Sequence, residues 1–419
     1  MSSIELKRVV VTGIGALTPI GNNVPEFWTS LINGVSGAAP ITRFDASLFK
    51  TKFACEVKNL NVEDFVDRKE MRRMDRYSHL GVISADEAIL DSKILESSFN
   101  NDRVGVIWGS GIGGIQTFFD EATNFANGDG SPRFNPFFIP KMISDICGGH
   151  ISMKYNFRGP NYTTVSACAS STNAIIDAHM MIRLGKADVI VSGGSEAAVV
   201  PGGVGGFNAM QALSTRNDDP KTASRPFDLD REGFVLGEGS ACLVLEEYEH
   251  AVSRGAKIYA ELAGGGTSAD AHHITAPHPE GLGAMNVMIN ALKDAEMSPN
   301  DIDYINVHGT STPLGDVAEI KAVVAVFKEH SYSLNISSTK SMTGHLLGAA
   351  GAMEALVACL SVSNDIVPPT INHFTDDPQL DPKLNFTFNK SQKRLVRAAI
   401  SNTFGFGGHN ACVVFKKAT

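Results

Sequence analysis

The apolar positions of this chain gather in short β-branched runs that end in glycine and other small residues. Val9-Val10-Val11-Thr12-Gly13-Ile14-Gly15, Val104-Gly105-Val106-Ile107-Trp108-Gly109-Ser110-Gly111 and Asp188-Val189-Ile190-Val191-Ser192-Gly193-Gly194 share this form. Ile302-Asp303-Tyr304-Ile305-Asn306-Val307-His308-Gly309 and Ala398-Ala399-Ile400-Ser401-Asn402-Thr403-Phe404-Gly405 continue it. Each predicts a buried strand opening into small residues, as at the strand ends of α/β sheets where ligands collect. Helix-like stretches at 170–184 and 282–295 lie between them. The alternation predicts a layered α/β fold with strands covered on both faces. No Pro/Ser/Gly-rich linker divides the chain, yet Lys257-Ile258-Tyr259-Ala260-Glu261-Leu262 restarts a strand after a helix ending near Gly255. Two pseudo-duplicated halves, 1–255 and 256–419, packed as one unit, are the expectation.

With 419 residues, 43% of them hydrophobic and 19% charged, the chain has ample material for a large core, which excludes a disordered or fibrous protein. No run reaches the ~18 consecutive apolar residues of a membrane span, so no integral membrane protein is expected. The start, Met1-Ser2-Ser3-Ile4-Glu5, has neither a basic presequence nor an apolar signal core, and a cytoplasmic location is expected. A net charge of -9 argues against nucleic acid as a partner. Six cysteines without CxxC spacing argue against a zinc site or a disulfide framework.

Four segments carry candidate chemistry. In Thr164-Val165-Ser166-Ala167-Cys168-Ala169-Ser170-Ser171, Cys168 falls at a strand-to-helix turn, where free backbone N–H groups and the helix dipole favour a thiolate. The segment by itself fits a buried cysteine at a tight turn as well. In Val307-His308-Gly309-Thr310-Ser311-Thr312-Pro313-Leu314-Gly315-Asp316, His308 ends a strand; its Nε2–H suits a carbonyl and the hydroxyls after it suit a polar ligand arm, or local turns. The third segment, 337–354, holds Lys340, His345 and Glu354 in a Gly/Ala-rich stretch able to pass close to other backbones, with Lys340 and Glu354 a candidate buried pair. The fourth, Ser401-Asn402-Thr403-Phe404-Gly405-Phe406-Gly407-Gly408-His409-Asn410, sets aromatic residues between glycines, as in a movable loop. One cysteine and two histidines at element ends point to nucleophilic catalysis with two hydrogen-bond donors.

These segments, together with Ala223-Ser224-Arg225-Pro226-Phe227-Asp228 and Gly233-Phe234-Val235-Leu236-Gly237-Glu238-Gly239, resemble the condensing enzymes of the thiolase fold, specifically β-ketoacyl-[acyl-carrier-protein] synthases of the synthase II type. The resemblance runs essentially end to end. It implies two duplicated halves in a five-layer αβαβα core, with the nucleophile in the first and both histidines in the second. Cys168 then takes an acyl chain as a thioester. His308 and His345 hold the carbonyl of malonyl-carrier protein through decarboxylation, and the N–H groups of Cys168 and Phe406 form the oxyanion hole. The resemblance further makes Lys340 an electrostatic organiser with Asp316 and Glu319 as partners and places Glu354 behind the site. Phe406 becomes a gate beside Phe404, Ile112 a wall of the acyl pocket, and Thr310 and Thr312 contacts for the phosphopantetheine arm.

No cofactor is implied beyond that arm, although some members hold a cation near positions matching Asn306, Glu354, Ser401 and Asn402. Acyl carrier protein and a second copy of the chain are the implied partners. Arg68, Lys69, Arg72 and Arg73, basic residues in an acidic chain, are the expected docking patch, and otherwise a solvated helix face. Asp270, His272, His273 and His278 lack convergent metal-ligand spacing and are read as an entrance segment. The expected reaction is decarboxylative condensation in type II fatty-acid elongation, with a ketosynthase of a specialised polyketide or aryl-polyene pathway as the alternative. A chain-length-factor-like subunit would lack Cys168; a degradative thiolase uses a second cysteine where His345 stands; initiating synthases use Cys-His-Asn. The context of Cys168 and the presence of His409 depart from the common pattern and bear on chain preference.

Overall fold

The structure is a computed structural model that describes residues 6–418. Its frame is a mixed sheet of ten strands among the described residues. In the first half they are β1 (Val9–Leu17), β2 (Val104–Gly109), β3 (Asn161–Thr164), β4 (Val189–Glu196) and β5 (Gly239–Glu247). The second half supplies β6 (Ala260–Ala269), β7 (Tyr304–Asn306), β8 (Asn335–Ser337), β9 (Ala398–Gly405) and β10 (His409–Lys416). The spatial order is β3-β2-β4-β5-β1 in one half and β8-β7-β9-β10-β6 in the other. Numbered within each half, both read third-second-fourth-fifth-first. The directions repeat too: the three outer strands of each half are mutually parallel and the two inner ones join antiparallel. The half-sheets meet where Val10 and Val11 pair with Glu261 and Ala260.

Five helices complete the layers: α1 (Arg76–Ser92), α2 (Ser170–Arg183), α3 (Leu282–Asp294), α4 (Pro313–Phe327) and α5 (Ala350–Asn364). Helix α1 covers the outer face of the first half-sheet, and α3 with α4 covers that of the second. Helices α2 and α5 lie between the half-sheets and contact both. The result is five layers, as the resemblance implies. Strands β1, β4 and β5 are buried along their whole length and built mostly from apolar and small residues, because both of their faces are covered.

The small residues of α5 explain how two helices fit in one inner layer. A Cβ at Gly351 would lie 1.9 Å from Thr172 Oγ1 on α2, so only glycine permits this approach. The helical segment Leu347–Asn364 is long and apolar enough to cross a membrane by length and composition, yet 89% of it is buried inside the protein. It is the central core helix.

Candidate functional site

Cys168 sits between β3 and α2, as the strand-to-helix reading expects. The preceding Ala167 adopts a left-handed conformation, φ 51°, which costs a non-glycine residue about 1–2 kcal/mol. Hydrogen bonds offset that strain: Ser170 Oγ donates to Ala167 O at 2.7 Å, Ser166 N donates to Ser170 Oγ at 2.9 Å, and Asn173 Nδ2 donates to Ser166 Oγ at 2.6 Å. The turn aims the thiol into a cavity of about 490 Å³. Burial pushes the Cys168 thiol up to about 12, while the charge of Lys340 and the Phe406 N–H pull it back. The resting thiol is protonated.

His345 reaches the same point from the other half. Its Nε2 lies 3.0 Å from Cys168 Sγ. Its backbone is held like a strand by the 233–239 motif: His345 N donates to Val235 O at 2.7 Å and Gly237 N donates to His345 O at 2.9 Å. The Phe234 ring meets the imidazole edge-on at 5.3 Å. His308 follows β7, and its ring stands 5.3 Å from that of His345 at 87°. Glu319, on α4, fixes the His308 turn by accepting from His308 N and Gly309 N, both at 2.8 Å. Burial raises Glu319 to about 7 against those two bonds. Both imidazoles are held below their ordinary value by burial, then by the charge of Lys340. They are therefore neutral at neutral pH.

Thr310, Thr312, Phe404, Phe406 and Ile112 line the same cavity as Cys168 and the two histidines. Thr310 Oγ1 and Thr312 Oγ1 are 3.1 Å apart, and the Phe404 ring leans on His308 at 5.6 Å. Phe406 is partly exposed between Gly405 and Gly407, and a Cβ at Gly405 would lie 2.8 Å from Ser166 O and 3.2 Å from Cys168 N. The loop comes this close to the thiol because that position is glycine. From the 270–278 segment, Ile274 O accepts from Gly407 N at 2.7 Å, and Asp270 accepts from Asn410 Nδ2 at 2.8 Å. That segment braces the Phe406 loop.

Lys340, Glu354 and Asp316 lie behind the cavity wall, and Glu319 lines it. Lys340 forms a buried ion pair with Glu354. The expected partnership of Lys340 with Asp316 is corrected: Asp316 instead faces Arg231 at 3.5 Å and accepts from Phe227 N and Ser311 N. Glu319 senses the Lys340 charge but spends its oxygens on the His308 turn. In the basic run, Arg68 pairs with Glu63 at 2.7 Å and Arg73 with Glu70 at 2.9 Å. Lys69 and Arg72 are exposed, and neither side chain has a partner among the described residues.

Two buried groups escaped the sequence reading. Arg231 donates to Thr312 O at 3.3 Å and Pro313 O at 3.1 Å while pairing with Asp377 at 2.6 Å, and so props the threonine turn. Glu196, at the end of β4, accepts hydrogen bonds from two loops of the site. The only signal for either was a charged residue within or beside an otherwise apolar or glycine-rich motif.

Two half-sheets with a cysteine from one and two histidines from the other, meeting in one cavity, define a thiolase-like ketosynthase architecture. The β-ketoacyl synthase N-terminal domain matches residues 6–251, and the β-ketoacyl synthase C-terminal domain matches residues 259–374. The chain is 48% identical over 417 residues to a 3-oxoacyl-[acyl-carrier-protein] synthase 2 of Synechocystis, covering 100% of both chains. It is also 48% identical to a protein of the same name from Staphylococcus aureus, covering 98% of each. A β-ketoacyl synthase from Burkholderia phymatum superposes with a TM-score of 0.91 at 34% identity, over 99% of this chain and 100% of that one. The ishigamide ketosynthase/chain length factor gives 0.92 at 32% identity, with the same coverage. A further neighbour, at 32% identity and 0.89 over 99% of this chain and 100% of that one, is a type II polyketide ketosynthase in complex with its acyl-carrier protein. The chain belongs to the β-ketoacyl synthase family, and it is an acyltransferase.

Proposed function

We infer that the chain elongates acyl chains in type II fatty-acid synthesis, condensing a Cys168-bound acyl group with malonyl-acyl carrier protein to give 3-oxoacyl-acyl carrier protein and CO2. The observation that carries this reading is the meeting of Cys168 Sγ, His345 Nε2 at 3.0 Å and the His308 ring in one cavity. Relatives named for this activity at 48% identity favour it over the polyketide reading, whose structural representatives stand at 32%.

In the acyl-transfer half, Cys168 Sγ attacks the thioester carbonyl as its proton leaves, and the carrier arm departs as the thiol. The N–H groups of Cys168 and Phe406 receive the oxyanion; the Phe406 N–H already points at Sγ. In the second half, the malonyl C–C bond breaks, its electron pair becomes an enolate and CO2 leaves. We place a proton on Nε2 of each neutral histidine, which leaves an acceptor rather than a donor buried at each unpartnered Nδ1. Two fixed donors then hold the enolate oxygen without solvent reorganisation. The carbanion attacks the Cys168 thioester, and the thiolate leaves and regains a proton. Thr310 and Thr312 contact the phosphopantetheine arm, Phe406 gates the acyl tunnel, and Lys340 adds to burial in keeping both histidines neutral.

Carrier-protein docking on the free cations Lys69 and Arg72 is part of the proposal, as is a homodimer. The outer edge of β3 has no partner strand among the described residues, and Val165 beside it is 61% exposed. Light scattering that returns a monomer mass would reject the dimer. A structural alkali cation fits a third feature. Asn306 Oδ1, Glu354 Oε2, Ser401 Oγ and Asn402 Oδ1 are buried without a protein partner, and Asn306 and Ser401 are register neighbours on β7 and β9. This all-oxygen set suits a hard cation, whose charge would satisfy these acceptors.

Intact-mass detection of Cys168 acylation across a panel of acyl-carrier thioesters, followed by a malonyl-carrier chase, tests the reading. Saturated chains should load and gain two carbons, and Cys168→Ala should abolish loading while retaining some malonyl decarboxylation. Loading by polyene or aryl primers alone would move the protein to a specialised pathway.

A further inference from the structure

Glu196 is fully buried, and no cation pairs with it among the described residues. Oε1 accepts from Ile112 N at 3.1 Å, Gly113 N at 3.2 Å and Ser110 Oγ at 3.2 Å. Oε2 accepts from Gly111 N at 2.7 Å and Gly348 N at 3.0 Å. Four of the five donors are backbone N–H groups, which cannot accept a proton; these bonds favour the carboxylate against burial, which pushes the group up. Such charge-assisted bonds are about twice as strong as neutral ones.

The five donors belong to two loops. Residues 110–113 carry Ile112 into the cavity wall, and Gly348 follows His345 by three positions. The loops close on the carboxylate with no slack: a Cβ at Gly348 would lie 2.2 Å from Gly111 N and 2.5 Å from Glu196 Oε2. A Cβ at Gly111 would lie 2.9 Å from the same oxygen and 3.3 Å from Ala167 O, next to the nucleophile. One carboxylate thus ties the cavity wall to the histidine loop, beside the cysteine turn.

We propose that Glu196 is a positioning residue that locks the cavity wall at Ile112 to the His345 loop and thereby sets which acyl chains Cys168 accepts. This rests on the reading of the cavity as the acyl site. Glu196→Gln keeps the shape but turns an NH2 toward backbone N–H groups, so the bonds at one oxygen must break: those of Ile112 and Gly113 at Oε1, or those of Gly111 and Gly348 at Oε2. The wall loosens, and discrimination between chain lengths falls. The lost charge has a second consequence, because Glu196 opposes ionisation of the Cys168 thiol.

The test compares rates of Cys168 acylation by short, medium and long saturated acyl-carrier thioesters in wild type, Glu196→Gln and Ser110→Ala. Discrimination between the best and worst chain should fall about tenfold in Glu196→Gln, the worth of one charge-assisted bond. Ser110→Ala, which loses one bond to Oε1 and the Gly113 N contact, should shift it less and in the same direction. The pH profile of iodoacetamide labelling at Cys168 should move to lower pH in Glu196→Gln but not in Ser110→Ala, which loosens the same loop and keeps the charge. An acylated wild type with unchanged discrimination in Glu196→Gln overturns the positioning role. Should that variant fail to fold, an unchanged Ser110→Ala profile overturns it instead. A wild type that no primer acylates overturns the acyl-transfer reading, and this role with it.

Discussion

Replacing Lys340 with Met gives the sharpest test of the charge arrangement behind the site. Lys340 and Glu354 are 1% and 2% exposed and form an ion pair. Removing one partner of a buried pair costs about 3–5 kcal/mol, because the other charge stays buried without compensation. Here that charge has an escape: burial already pushes the Glu354 carboxyl up, and Lys340 holds it down. Without the ammonium, folded Lys340→Met binds a proton at Glu354 that the unfolded chain does not bind near neutral pH. More protons on the folded state mean that unfolding free energy falls as pH rises, by about 1.4 kcal/mol per unit for one proton. The stability gap to wild type should therefore widen with that slope between about pH 7 and pH 9, until the variant carboxyl ionises. Reduced pull on the two histidines acts in the same direction, since their depressed pKa values cost wild type stability at low pH. Urea unfolding of wild type, Lys340→Met and the double variant Lys340→Met/Glu354→Gln at several pH values, in buffer free of alkali cations that would compensate Glu354, measures this. The double variant should lose the slope and recover much of the stability. A gap independent of pH, or one below ~1 kcal/mol throughout, would refute the reasoning.

Other perturbations separate the proposed roles. His345→Ala should cut malonyl decarboxylation by about 10²–10³, the worth of one oxyanion donor, and impair Cys168 acylation less; equal losses would assign His345 another role. Ile112→Phe should shorten the longest chain that loads onto Cys168, and an unchanged profile would remove Ile112 from the acyl wall. Lys69→Glu with Arg72→Glu should lower kcat/KM for carrier-bound substrate about tenfold at low salt, with the gap closing as salt is raised. Gly351→Ala should lower stability by about 1–3 kcal/mol in denaturant unfolding, because its Cβ meets Thr172 Oγ1 at 1.9 Å with helix α2 fixed behind it.

Much of this protein was legible along the chain. The β-branched runs ending in glycine became β1, β2, β4, β7 and β9 because a strand buried on both faces is drawn mainly from apolar and small residues. Cys168, His308 and His345 could be picked out because each stands among small residues at the end of such an element, where a side chain meets a ligand. What the chain order could not decide were relations between distant residues. The sequence offered Lys340 both Glu354, as a buried pair, and Asp316; packing of α5 against the sheet selects Glu354, while Arg231 claims Asp316. The raised Cys168 thiol comes from burial under both half-sheets, a collective desolvation that no local segment shows. Glu196 reads as an ordinary strand end until two loops, 85 and 152 positions away, fold their N–H groups onto it. Local pattern determines elements because periodicity and steric preference act over a few residues. Charge partnership, burial and loop register are fixed only when the two halves close on one another.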